Sequence, residues 1–135
     1  MTLRSWEANG WLRSHQTSRQ EIADLFRIVE RDLHDAATNA LSADWRFGIA
    51  YNAALKLCTC LLSASSYRAE KNLQHYRTIQ ALPLILGVEH KGNADYLDAC
   101  RIKRNRAEYD QAGVVSEAEA TELIGFVTEL RTVVQ

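Results

Sequence analysis

Between residues 18 and 38 the apolar positions Ile22, Leu25, Phe26, Val29, Leu33 and Ala36/Ala37 return every three or four residues, the spacing that lines one face of an α-helix. Ser18, with Glu21 three residues on, predicts a capping box at its start, where free backbone N–H groups need acceptors. A second segment, 42–65, carries Trp45, Ile49, Leu57, Cys58, Leu61 and Leu62 on more than one side, which predicts a central helix covered over most of its girth. Gly48, Ala50, Ala53 and Ala54 leave room there for another helix to come close. A third helix is predicted over 70–82 from Leu73, Tyr76, Ile79 and Leu82, and Pro83 should end or kink it. The stretch "LGVEHKGN" then reads as a loop, with Gly87 and Gly92 as punctuation.

A fourth helix is predicted over 93–110 and a fifth over 116–134, the latter opened by a Ser116/Glu119 capping box and burying Ala120, Leu123, Ile124, Val127, Leu130 and Val134. No segment alternates convincingly as a strand. Short connections make neighbouring helices antiparallel, so the expected fold is all-α, a bundle of about five helices spanning 17–135. Residues 1–16 form an N-terminal arm, whose Trp6, Trp11 and Leu12 either pack on the bundle or cross to a second subunit.

Length and composition narrow the field. The chain has 135 residues, 47% of them hydrophobic and 24% charged, the profile of a globular domain with one core. The run "LPLILGV" at 82–88 is too short to span a bilayer and the N-terminus lacks a signal-peptide layout, so no membrane is expected and the cytoplasm is the expected location. Cys58, Cys60 and Cys100 then read as reduced thiols packed as small hydrophobes. His15, His34, His75 and His90 are scattered singly, so no metal site and no cofactor are expected. The net charge of −1 conceals a division. Residues 1–106 hold 15 Lys/Arg against 11 Asp/Glu, while residues 107–135 hold one base and six acids. A local positive field can therefore steer a polyanion.

That boundary falls in "RIKRNRAEYD", residues 101–110. At 100° per residue Arg101, Asn105 and Tyr109 fall in one row, with Arg104 and Glu108 alongside. Leu97, Cys100 and Ala107 should face the core, and Lys103 and Arg106 should be solvated. A guanidinium beside an amide and a phenol suits a phosphate, since Arg offers a planar fork of donors, Asn a neutral donor, and Tyr a donor or stacking face. The plainer alternative is an intrahelical Arg104–Glu108 pair with Tyr109 as a partly buried anchor.

The order of "SADWRFGIAYNAALKLCTCLL", "YRAEKNLQHYRTIQALP" and "YLDACRIKRNRAEYD" on successive helices resembles the HEPN domains (higher eukaryotes and prokaryotes nucleotide-binding) over roughly residues 18–134. The resemblance implies a homodimer. It also implies a metal-independent ribonuclease, often a toxin with an antitoxin partner or part of a defence system. The family's Arg-Asn pair maps onto Arg104 and Asn105, and at the shortest family spacing its motif histidine falls on Tyr109. Arg104 and Tyr109 are thus the candidate catalytic residues and Arg101 and Asn105 the candidate ligand-binding ones.

The tyrosine changes the chemistry. Cleavage through the RNA 2′-hydroxyl needs a proton acceptor at neutral pH, which a histidine near pKa 6.5 provides and a phenol near 10 does not. Tyr109 is better cast as a donor or stacking platform. His75 could supply the base only if the third helix faces the fourth. Two readings follow: a dimeric cleft binding RNA or another phosphate-bearing ligand, with nuclease activity open, or a non-catalytic dimerisation or protein-interaction module. An enzyme on small nucleotides lacks a phosphate-cradling Gly-rich loop.

Overall fold

The computed structural model describes residues 1–135, the side chain of Asp110 excepted. The chain runs α1 (Leu3–Ala8), β1 (Leu12–Ser14), α2 (Arg19–Ala36), α3 (Ala43–Ala64), β2 (Tyr67–Ala69), α4 (Gln74–Gln80), α5 (Leu82–Leu86), a 3₁₀ turn (Val88–His90), α6 (Lys91–Asn105), a π turn (Arg106–Asp110) and α7 (Glu117–Val134). It is mostly helical, as the periodicity of α2, α3 and α7 requires.

α3 is the axis of the bundle. Its Ala50, Ala53 and Ala54 are almost wholly buried, and these small side chains let α2 and α7 pack along it. By length and composition alone α3 could cross a bilayer, but most of its apolar surface is covered by its helical neighbours. Val29 and Leu33 from α2, Leu97 and Cys100 from α6, and Leu123, Val127 and Leu130 from α7 close one core around it. Arg46 ties three helices together: its Nε donates to the Ala36 carbonyl at the end of α2 at 2.8 Å, and its Nη1 meets Glu117 Oε2 of α7 at 2.7 Å.

The predicted serines cap the starts of α2 and α7. Ser116 and Glu119 form a complete box. At α2 only half forms: the Ser18 hydroxyl accepts from the Glu21 N–H, while the Glu21 carboxylate turns to Thr17 (2.7 Å) and His15 (2.8 Å). Those two contacts hold the Glu21 carboxyl below the usual carboxylate range.

Three departures from the sequence reading matter. Leu12–Ser14 and Tyr67–Ala69 pair as an antiparallel ribbon in the register Leu12↔Ala69, too short to show alternation in sequence. The ribbon brings the arm onto the bundle, where Trp6, Leu12, Leu62, Ala69 and Ala81 form a second apolar cluster. Within it the rings of Trp6 and Trp11 meet edge-on at 5.7 Å. Second, Pro83 sits in the first turn of α5, where its missing N–H costs nothing, and the predicted single helix over 70–82 becomes a turn, α4 and the first residue of α5. Third, α6 stops at Asn105 and the chain continues as a π turn, closed by Gln111 N–H to the Arg106 carbonyl at 2.8 Å.

Candidate functional site

α6 presents its chemistry because of what it buries. Leu97 and Cys100 face the core, which leaves Arg101, Arg104 and Asn105 half-buried at the edge of the stripe. Arg104 is held on three sides. Its Nε pairs with Glu108 Oε2 at 2.9 Å, its Nη1 donates to Asn105 Oδ1 at 3.2 Å, and its Cζ stands 5.8 Å from the centre of the Tyr51 ring. A Cβ at Gly48 would touch its Cγ at 3.9 Å, so α3 forms the wall against which its stem lies. Arg101 is oriented by Asp98 at 2.8 Å and sits 5.8 Å from the ring of Tyr76.

α4 faces α6, and this brings His75 to the site. Ile79, buried, lies four residues after His75 on the same side of α4, which sets the imidazole at the seam where α4 meets α3 and α6. Its ring lies 6.4 Å from that of Tyr51. A cleft of about 320 Å³ is lined by Lys71, Leu73, Gln74, His75, Tyr76, Arg101 and Asn105. A second, of about 220 Å³, shares Gln74 and His75 and adds Lys56, Arg68, Thr59, Ser63 and Tyr67 among its walls. Neither has an Asp or Glu among its described lining residues. Lys56, Arg68 and Lys71 form no salt bridge with a described carboxylate.

This field acts on the imidazole. Partial burial, then the positive charges of Arg104, Lys56 and Arg101, hold the His75 pKa below its ordinary 6.5, so it is neutral at pH 7 and able to accept a proton. Beneath it Tyr51 is only 1% exposed, and its hydroxyl has no hydrogen-bond partner among the described residues. Burial raises its pKa, against the opposing pull of Arg101 and Arg104. It remains a phenol, a donor with its proton uncommitted.

Arg104 also lines a larger groove, about 760 Å³, with Trp45, Gly48, Ile49 and Ala107 as apolar wall and Asp32, Asp44 and Glu108 as carboxylates. Asp44 is structural there, accepting from the Gly113 and Val115 N–H groups at 2.7 and 3.2 Å. Three acids against one guanidinium make this groove a poor place for a phosphate.

The four residues singled out by sequence therefore divide. Arg101 and Asn105 line the basic cleft, and Arg104 stands beside them. Tyr109 does not join them: it is 73% exposed and lines neither cleft. The row through Arg101, Asn105 and Tyr109 assumed 100° per residue, and a π turn takes more residues per revolution, so the alignment fails after Asn105. Arg106 is solvated as expected, but Lys103 is bound to Glu119 of α7, and that bond lowers the Glu119 carboxyl pKa. Tyr51, Lys56, Arg68 and Lys71 escaped the sequence reading. The one signal for Tyr51 was a hydroxyl-bearing side chain amid an almost wholly apolar face.

The thiols of Cys58, Cys60 and Cys100 are free and buried, and burial pushes Cys58 up to about 12 and the other two to about 11. They are inert at neutral pH. Among the described residues no group of three His, Cys, Asp or Glu side chains converges as metal ligands would. Comparison with protein-family models, curated proteins and solved structures finds no match to the chain.

Proposed function

We propose that the chain is a HEPN-like protein that binds RNA, or another phosphate-bearing ligand, along the α4/α6 seam, and that it cleaves RNA there without a metal. The carrying observation is the make-up of the two clefts: Lys56, Arg68, Lys71 and Arg101 around His75, with no carboxylate among the described lining residues. Such a wall attracts a polyanion over the length of several phosphates. Arg104 and Asn105 add the fork and the amide donor that fit non-bridging oxygens, and Tyr76, at the mouth, offers a ring face to an unstacked base. In the homodimer that the family resemblance implies, the two seams double the charge presented to one strand.

The test is direct. Purified protein is incubated with single-stranded RNA in the presence of EDTA, beside an Arg104→Ala variant. Cleavage by the parent alone supports the reading, and equal cleavage by both, or by neither, refutes the enzymatic part.

A second reading is favoured by a separate observation. Trp45 is 63% exposed on the wall of the 760 Å³ groove, a large apolar surface of the kind used to join proteins. On this reading the chain is a non-catalytic module joining a second copy or an antitoxin-like partner through Trp45. Sizing of the parent and a Trp45→Glu variant separates the two: a dimer lost on substitution, with RNA binding absent from both, favours the module.

A further inference from the structure

We propose that His75, carried on α4 and not on the helix that bears Arg104 and Asn105, is the general base of RNA cleavage at this seam. This rests on the reading of the seam as an RNA site. The helix with the Arg-Asn pair holds no histidine after it, and its Tyr109 points into solvent. His75 shares a cleft with Arg101 and Asn105, and its ring and the Arg104 guanidinium both neighbour the ring of Tyr51. A phosphodiester seated on Arg101, Arg104 and Asn105 thus has one imidazole beside it.

The titratable and charged groups facing His75 are Tyr51 and Lys56 from α3, Tyr67 and Arg68 from β2, Lys71 from the turn before α4, and Arg101 and Arg104 from α6. None is an acid. Partial burial, and after it the cations among them, keep the imidazole unprotonated at neutral pH, the form a base requires. In the step, the imidazole takes the proton of the 2′-hydroxyl, O2′ forms a bond to phosphorus, and the bond from phosphorus to O5′ breaks. The leaving O5′ takes a proton from water, and the hydroxide so formed removes the proton from His75. The products are a 2′,3′-cyclic phosphate and a 5′-hydroxyl end, with no metal or redox partner. Arg104 carries the charge that develops on the phosphorane.

The experiment uses the full chain with two probes: a single-stranded RNA, and the same sequence with every 2′-hydroxyl removed, which can bind but cannot react. His75→Gln should lower kcat on RNA by 100-fold or more, the usual weight of a general base. Binding of the deoxy strand should change by less than about fivefold, because a neutral imidazole lends no charge to the phosphates. The parent's rate should rise with pH to a plateau with its inflection below 6.5, and added imidazole should restore part of the activity of His75→Ala. Retention of parental kcat by His75→Gln, or no rescue of His75→Ala, overturns the proposal. A parent that binds the deoxy strand but never cleaves RNA overturns it while leaving the binding site standing. A parent that binds neither strand removes the RNA reading itself.

Discussion

The imidazole of His75 and the phenol ring of Tyr51 lie 6.4 Å apart, one at the mouth of the α4/α6 seam and the other buried beneath it. The pair belongs to two helices whose facing was not evident from either alone, and it sets an imidazole above a buried phenol whose hydroxyl has no partner among the described residues.

Tyr51→Phe isolates the lower member. The hydroxyl is buried and has no partner among the described residues, a situation that costs on the order of 1–3 kcal/mol. The phenylalanine variant should unfold at the same or higher urea concentration, by up to about 2 kcal/mol. A large loss of stability would mean that the hydroxyl is already satisfied.

His75 gives the free chain a pH dependence with a defined sign. Its folded pKa lies below the ordinary 6.5, so between those two values the unfolded chain binds more protons. The stability it contributes is complete above pH 6.5 and lost as pH falls through the folded pKa. Thermal melts at pH 7.5 and 5 should therefore differ less for His75→Gln than for the parent. An identical or larger difference in the variant would contradict the lowered pKa.

Much of the bundle was legible in the chain because helices that bury one stripe announce it. Val29 and Leu33, or Leu123, Val127 and Leu130, repeat at the spacing that places them in the core. The seam was less so. Arg101 and Asn105, which line the cleft, stand out in the sequence because the basic run marks itself, but His75 is one of four isolated histidines, and only the packing of α4 on α6 distinguishes it. Tyr109 was misplaced by extending a regular helix through a π turn. Lys103 was misread because its partner Glu119 belongs to another helix. Three-residue strands such as Leu12–Ser14 carry no period to read.

Arg46 should prove the most sensitive polar residue outside the seam. It is buried and serves both the Ala36 carbonyl and Glu117, so Arg46→Met should cost about 2–3 kcal/mol by leaving a carbonyl and a carboxylate unserved. Glu117 is largely exposed, so Glu117→Gln should cost less than about 1 kcal/mol. Equal losses in urea titrations of the two would place the energy in the ion pair and not in the buried carbonyl contact.

Leu73 precedes α4 with φ at +54° while its side chain is mostly exposed. A left-handed conformation costs a branched residue about 1–2 kcal/mol, part of which glycine loses again through unfolded-state entropy. Leu73→Gly should thus raise stability by about 0.5 kcal/mol, seen as a higher urea midpoint at constant slope. A lower midpoint would show that the leucine side chain contributes packing that its exposure conceals.

If the seam binds a polyanion through its cations, as proposed, binding must weaken steeply as salt is added. Fluorescence anisotropy of a labelled single-stranded RNA is measured from low to physiological salt for the parent and for Lys56→Gln/Lys71→Gln. Four to five phosphate contacts give a slope of log K against log salt of about −3, and removing two cations should lower its magnitude by about 1.4. Binding that ignores salt, or a slope unchanged in the double variant, would contradict the account.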